Sequence, residues 1–342
     1  LVVRDVLTAM IKAYEIQGVL ALENAFNQVG LDHVLLVRVA STAVATQLLG
    51  GSHQQTVHAV SNAWLDGGAL RAYRHKPNTG RRKSWAAGDA TSRAVRLAFM
   101  ARGGEMGYPT ALSAKTWGFC DALLGGNQLS VSQPFSTYVM ENILFKVSFP
   151  AEFHAQTAVE AALKLHPTIR DRLGGIQKIK IETQSAAVRI IDKTGALHNP
   201  ADRDHCLQYM IAIGLLHGTL TANHYEEETA ADPRIDHLRQ KMEVVENPAY
   251  SRDYLDPDKR SIANSIQIFF DDGTVSDLVS VEYPIGHQRR RDECIPLLKM
   301  KFKSNLNPSG KDSQNKMLCS LFEDPQRLDE MPVTNFMNLL QA

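Results

Sequence analysis

None of the four cysteines, Cys120, Cys206, Cys294 and Cys319, stands close to another in the sequence. That excludes the paired spacing of a zinc or iron–sulfur ligand set and a dense disulfide framework. The cysteines read as incidental thiols of a reducing compartment, which places the protein in the cytoplasm. Charge of one sign is also lacking. The 37 basic residues are matched by 37 acidic ones, so no global field draws in nucleic acid or an anionic membrane. No apolar run approaches the roughly 20 residues that span a bilayer, and no signal-peptide pattern is present. GxGxxG, GxxxxGK[ST], GxSxG and HExxH are all missing, as are internal repeats and low-complexity tracts. What remains is a 342-residue chain with 44% hydrophobic and 22% charged residues, enough for two domains and a sizeable core.

Residues 1 to about 145 read as helical. "VLLVRVASTAVATQLLG" carries small and apolar residues on several faces, as a buried helix does. Ser52 caps "HQQTVHAVSNAWLDGG", and "GDATSRAVRLAFMARGG" repeats the form, with Gly88-Asp89 as its start. The middle changes character. "AEFHAQTAVEAALKLHP" is a helix stopped near Pro167, and "IQKIKIETQ" alternates as a strand does. Helices follow at about 184–193 and 201–218. "SIQIFF-DDG-TVSDLVSVEYP" then reads as a hairpin. "DECIPLLKMKFKSNL", "DSQNKMLCSLF" and "PVTNFMNLLQ" return to helix around a polar loop at 305–315. The expected fold is mainly α with an inserted α+β domain: a helical domain at 1–145, a smaller α+β lid domain at 146–290, and a return to the helical domain at 291–342. The chain opens at Leu1 inside a helix-like pattern, which reads as an interior cut.

Five stretches could carry chemistry. "RAYRHKPNTGRRKSWAAGDATSR" sets Arg71, Arg74, Lys76, Arg81, Arg82, Lys83 and Arg93 against Asp89 alone, beside the helix start expected at Gly88. Arginine grips carboxylates in a fork, and helix N-termini favour anions, so this suits a polycarboxylate. A solvated basic loop or a nucleic-acid patch is the alternative. Lys146 lies among apolar residues, where burial loosens its proton, and His154 follows in the first turn of the next helix. Asp202, Arg203, Asp204 and His205 crowd a helix start, and the four-residue spacing puts His205 and Tyr209 on one face. His33 heads a buried helix. His287 with Arg289, Arg290 and Arg291 forms an anion clamp or a solvated turn. With no metal or nucleotide motif, these clusters suit cofactor-free acid–base chemistry on a small anion.

Five strings carry a resemblance: "YRHKPNTGRRKSWAAGDATSR", "GEMGYPTALSAKTWGF", "STYVMENILFKVSFPAEFHAQTA", "HNPADRDHCLQYM" and "DPDKRSIANSI". They resemble the MmgE/PrpD family, in particular its 2-methylcitrate dehydratases of bacterial propionate catabolism, in order along essentially the whole chain. The resemblance implies a helical domain with an α+β lid, a homodimer, and dehydration of 2-methylcitrate to 2-methyl-cis-aconitate without an iron–sulfur cluster. A related decarboxylase acting on cis-aconitate places its active site between helical domain and lid. Its catalytic His falls on His33, its lysines on Lys83 and Lys146, its Tyr on Tyr209, and a further His near Glu152 or His154. The family also has an earlier Asp-containing segment followed by His-Pro, which would precede Leu1. On this reading Arg82, Lys83 and the Gly88-Asp89 helix start bind carboxylates. His154, His205, His287 and Arg289 assist, and His33 and Tyr209 share the acid–base work. The rivals are a decarboxylase or hydratase of the same family and a nucleic-acid-binding protein using residues 71–93.

Overall fold

A computed structural model describes residues 1–66, 68–75, 77–306 and 312–341. Lys76 and residues 307–311 of the 305–315 loop therefore lie outside the described residues. The chain divides into two compact units, one of Leu1–Ile143 with Phe302–Ala342, the other of Leu144–Lys301.

The first unit is helical. Its elements are α1 (Val3–Glu23), α2 (Val34–Leu48), α3 (His53–Leu65), α4 (Arg82–Arg102), α5 (Phe119–Leu123) and α6 (Tyr138–Asn142). Helix α2 packs on α1, α3 and α4. Ser52 starts α3 as expected, in a reciprocal cap with Gln55. The buried side of α4 is a stripe of alanines, Ala86, Ala90, Ala94, Ala98 and Ala101, which lets α2 approach closely. Leu35, Leu36 and Val39 of α2 meet Trp64 and Phe119 in the core. The last two pack edge to face at 4.8 Å.

In the second unit, α7 (Gln156–Ile169) leads to strand β1 (Ile176–Thr183), then α8 (Ser185–Ile191), α9 (Pro200–Arg203), α10 (Leu207–His217), α11 (Glu227–Ala230) and α12 (Pro233–Gln240). Next come β2 (Met242–Glu246), α13 (Pro248–Leu255), β3 (Asn264–Phe270) and β4 (Val279–Val281). The sheet order is β2-β1-β3-β4. Strands β1 and β2 run parallel, with Ile179 opposite Met242, while β3 lies antiparallel to both β1 and β4. The hairpin read from the sequence is present, with an irregular stretch between Val275 and β4. Ile179 and Ile181 from β1, Ile266 and Ile268 from β3, the alanines of α7 and nearly all of α10 make one core. Helix α14 (Arg291–Leu306) leads to α15 (Asp312–Glu323), α16 (Pro325–Glu330) and α17 (Val333–Leu340). Val3 at the start of α1 packs with Leu321 and Leu328 of this tail.

Three helix boundaries differ from expectation. Helix α7 passes Pro167 and ends at Ile169, with the proline inside its final turns, and His154 sits in a short 3-10 turn before the helix. Helix α4 begins at Arg82, so Gly88 and Asp89 lie in its interior, where backbone N–H groups are already bonded. The helix expected over 201–218 is broken at Asp204–Cys206. Asn199 and Pro200 start α9, and Cys206, in extended backbone, precedes α10.

Candidate active site

In the helical unit the polar cluster is built by backbone pairing. The Asp32 N–H donates to the Ala69 carbonyl at 2.7 Å and the Arg71 N–H to that of Gly30 at 2.9 Å. This brings the turn Arg71–Arg74 onto Asp32, whose side chain is 0% exposed. Arg74 Nε donates to its carboxylate at 2.5 Å, Arg71 lies at 3.6 Å, and the Val34 N–H at the head of α2 donates at 3.1 Å. Burial pushes the Asp32 carboxyl up, but these donors and His33 outweigh it and hold it below the usual carboxylate range. His33 precedes α2 with its Nδ1 3.4 Å from Asp32 and much of its ring open to solvent. Crowding on the protein side, with Arg74 and Arg71, pushes His33 below the ordinary histidine value against the pull of Asp32. The imidazole is therefore neutral at neutral pH and able to take a proton.

Lys83 is half-buried on the same face of α4 as Ala86 and Ala90. Those alanines pack on Val34, next to His33. Arg82 stacks over Trp85 at 4.3 Å and over Tyr73 at 5.4 Å. Two earlier expectations fail here. Arg71 and Arg74, read as grips for a polycarboxylate with a solvated loop as the alternative, turn to the buried Asp32. Gly88 and Asp89 offer no helix end to an anion, and the Asp89 carboxylate accepts from Arg93 at 3.2 Å.

The second unit gathers Lys146, Glu152, His154, Asp204, His205 and Tyr254. Lys146 lies in an extended segment, held where the Phe145 N–H donates to the Gly286 carbonyl at 3.1 Å and Lys301 Nζ to the Lys146 carbonyl at 2.7 Å. Surrounding protein and Lys301 push the Lys146 pKa below the ordinary lysine value, while Asp204 and Glu152 pull it back. The Glu152 N–H donates to the Asp204 carbonyl at 3.2 Å, tying this segment to the break between α9 and α10. His205 Nδ1 is 2.7 Å from the Asp204 carboxylate. His154 Nδ1 is 2.9 Å from both Glu152 oxygens, and its Nε2 is 3.3 Å from the Tyr254 hydroxyl. Burial pushes the Glu152 carboxyl up, but its three contacts with His154 leave it lower than usual.

Because of the helix break, His205 and Tyr209 do not share a helical face. Tyr209 is 2% exposed and donates its hydroxyl to the His224 carbonyl at 2.7 Å. It stacks on Tyr225 with centroids 6.0 Å apart, and burial pushes its phenol up to about 12. Asp202 and Arg203 are likewise committed, to Lys193 at 2.8 Å and to Glu227 at 2.8 Å. The clamp expected at 287–291 is also used up internally. His287 is 2% exposed and accepts from the Arg289 N–H at 3.2 Å. Arg289 donates to the Asp258 carbonyl at 2.9 Å, Arg290 to Glu160 at 2.8 Å and to Glu293, and Arg291 lies over Phe145 at 4.4 Å.

Asp32, Glu152 and Tyr254 were given no role from the sequence, Glu152 appearing there only as one of two positions for a relative's histidine. The first two sit beside named histidines, which was the available signal. Tyr254 is 100 positions from His154 and gave none. Among the described residues no cluster of three or more His, Cys, Asp or Glu is arranged for a metal, and no helix is long and apolar enough to cross a membrane. All four cysteines are free, and Cys120, Cys206 and Cys294 are buried.

Comparison with known sequences supports the two halves separately. The MmgE/PrpD N-terminal domain matches residues 2–132 and the MmgE/PrpD C-terminal domain residues 149–323. The chain belongs to the MmgE/PrpD family. It is 58% identical to a 2-methylcitrate dehydratase of Cupriavidus necator, over 99% of this chain and 71% of that protein. It is 57% identical to a 2-methylcitrate dehydratase of Escherichia coli K12, over the same shares of each. A mitochondrial 2-methylcitrate dehydratase of Yarrowia lipolytica is 57% identical over 96% of this chain and 64% of its own length.

Proposed function

We propose that this MmgE/PrpD member removes water from 2-methylcitrate to give 2-methyl-cis-aconitate. The observation that carries the reading is 58% identity, sustained over 99% of the chain, to a protein named for that dehydration. The chemistry of the two clusters agrees with it. Dehydration takes a proton from the methyl-bearing carbon beside a carboxylate and expels the hydroxyl from the neighbouring carbon. Negative charge builds on that carboxylate as the C–H bond breaks, and fixed cations lower the barrier, by about 10²–10³-fold for one well-aimed donor.

We assign the base to His33, whose imidazole is held neutral by its surroundings and oriented by Asp32. Lys83 and Arg82 are assigned to substrate carboxylates, and Lys146, a lysine with a loosened proton, to the same charge. His154 and His205 belong to the part of the reaction that deals with the leaving hydroxyl. A cytoplasmic homodimer, and a lid role for the α+β domain within the partition 1–145, 146–290 and 291–342, belong to the same proposal and rest on the family likeness.

The test is incubation of the purified protein with 2-methylcitrate. The conjugated product absorbs in the ultraviolet, and its appearance without carbon dioxide is expected. His33→Ala and Lys83→Ala are each expected to lower turnover at least about tenfold with an unchanged melting temperature. Release of carbon dioxide would turn the reading toward a decarboxylase, and near-normal rates in either variant would remove that residue's role.

A further inference from the structure

Glu152, His154 and Tyr254 form a continuous hydrogen-bonded line. Two carboxylate contacts at 2.9 Å fix one side of the His154 ring, and the Glu152 carboxylate also accepts from the His154 backbone N–H at 2.8 Å. The His154 carbonyl in turn accepts from the side chain of Asn264, a fully buried residue, at 2.9 Å. The imidazole is therefore held at its backbone and at Nδ1, leaving Nε2 to face the Tyr254 hydroxyl at 3.3 Å, with ring centroids 5.7 Å apart. The side chains of Glu152 and His154 are 14% and 12% exposed, so solvent screens the pair weakly. Tyr254 comes from α13, whose start is capped by Asn247 and set by Pro248. Burial and then Glu152 push its phenol up, so it reaches the reaction protonated. Tyr209, by contrast, gives its hydroxyl proton to a backbone carbonyl.

We infer that this line is a proton relay that delivers the proton to the departing hydroxyl, with Tyr254 as its outlet and Glu152 as the positioning residue. The inference rests on the dehydration proposed above. The C–O bond breaks and its electron pair leaves with oxygen. That oxygen takes the Tyr254 proton and departs as water. The Nε2 proton of the His154 imidazolium passes to the Tyr254 oxygen, leaving a neutral ring whose Nδ1–H still donates to Glu152. The proton taken from carbon is released to solvent, and one from solvent restores Nε2–H, so each turnover returns the line to its start. An acid whose proton is replaced by a buried and oriented imidazole follows the logic of hydrogen-bonded triads.

The experiment compares wild type with Tyr254→Phe, Glu152→Gln and Glu152→Asp on 2-methylcitrate, with melting temperature checked for each. Tyr254→Phe and Glu152→Gln are expected to lower kcat about tenfold or more while leaving KM little changed. Glu152→Gln should also flatten one limb of the pH profile of kcat, and Glu152→Asp should recover most of the loss. Nitrogen NMR of labelled histidine should show a proton on His154 Nδ1 in the wild type, and loss of that fixed protonation in Glu152→Gln. A Tyr254→Phe enzyme with wild-type kcat and pH profile, beside a wild type that turns over 2-methylcitrate, overturns the relay alone. A wild type that leaves 2-methylcitrate unchanged overturns the dehydration as well.

Discussion

Asp32 shows how a single residue sets the terms for its neighbour. Its carboxylate is fully buried and kept ionised by Arg74, Arg71 and the Val34 N–H. Its folded pKa is depressed, so it contributes stability above the unfolded carboxyl value of about 4, and that contribution is lost as pH falls through the lower folded value. Asp32→Asn should cost of order 3 kcal/mol at neutral pH, because it takes from the buried Arg74 guanidinium the carboxylate to which it donates. The same variant should lose less stability than wild type on acidification. Denaturant unfolding at neutral pH and in the carboxylate range measures both effects. Equal pH dependence in the two proteins would contradict this account of Asp32. His33 was visible in "GLDHVLLV", yet its support was not, because Arg71 and Arg74 lie about 40 positions away and looked like substrate groups.

At the scale of elements, local signals were legible and junctions were not. Capping chemistry located α3, alternation located β1, and the Asp-Gly turn marked the hairpin that contains β3. The start of α4 was misplaced because Arg82 and Lys83 carry no capping residue, while Gly88-Asp89 imitates a helix start. The break before α10 was hidden by continuous helix-compatible composition, yet it is the break that holds Asp204 and His205 between the two helices. The Lys146 segment depends on Gly286, whose φ is +111° and where a Cβ would meet the Phe145 carbonyl oxygen at 2.0 Å. Gly286→Ala should therefore cost backbone strain of about 1–3 kcal/mol and also displace the Lys146 segment, lowering kcat. Gly273→Ala, at φ +78° in open space, should incur strain alone and keep full turnover. Thermal melts and steady-state rates separate the two, and unchanged kcat in Gly286→Ala would detach this glycine from the site.

For the molecule as a whole, the sequence indicated a helical majority and a small α+β part through the periods of its apolar residues, 3.6 in one and 2 in the other. It also marked acid–base chemistry on an anion through clustered histidines and lysines without metal or nucleotide motifs. The partners that tune those groups, Asp32 with its arginines and the Glu152–His154–Tyr254 line, depend on contacts far apart in the chain that no local pattern encodes. The central claim is that this protein breaks one C–H and one C–O bond of 2-methylcitrate and keeps every carbon. The most direct test is mass spectrometry of the product formed from 2-methylcitrate carrying deuterium on its methyl-bearing carbon. The account predicts a product that has lost that deuterium and one hydroxyl together, with its carbon skeleton complete. A product that retains the deuterium, or one short of a carbon, would contradict it.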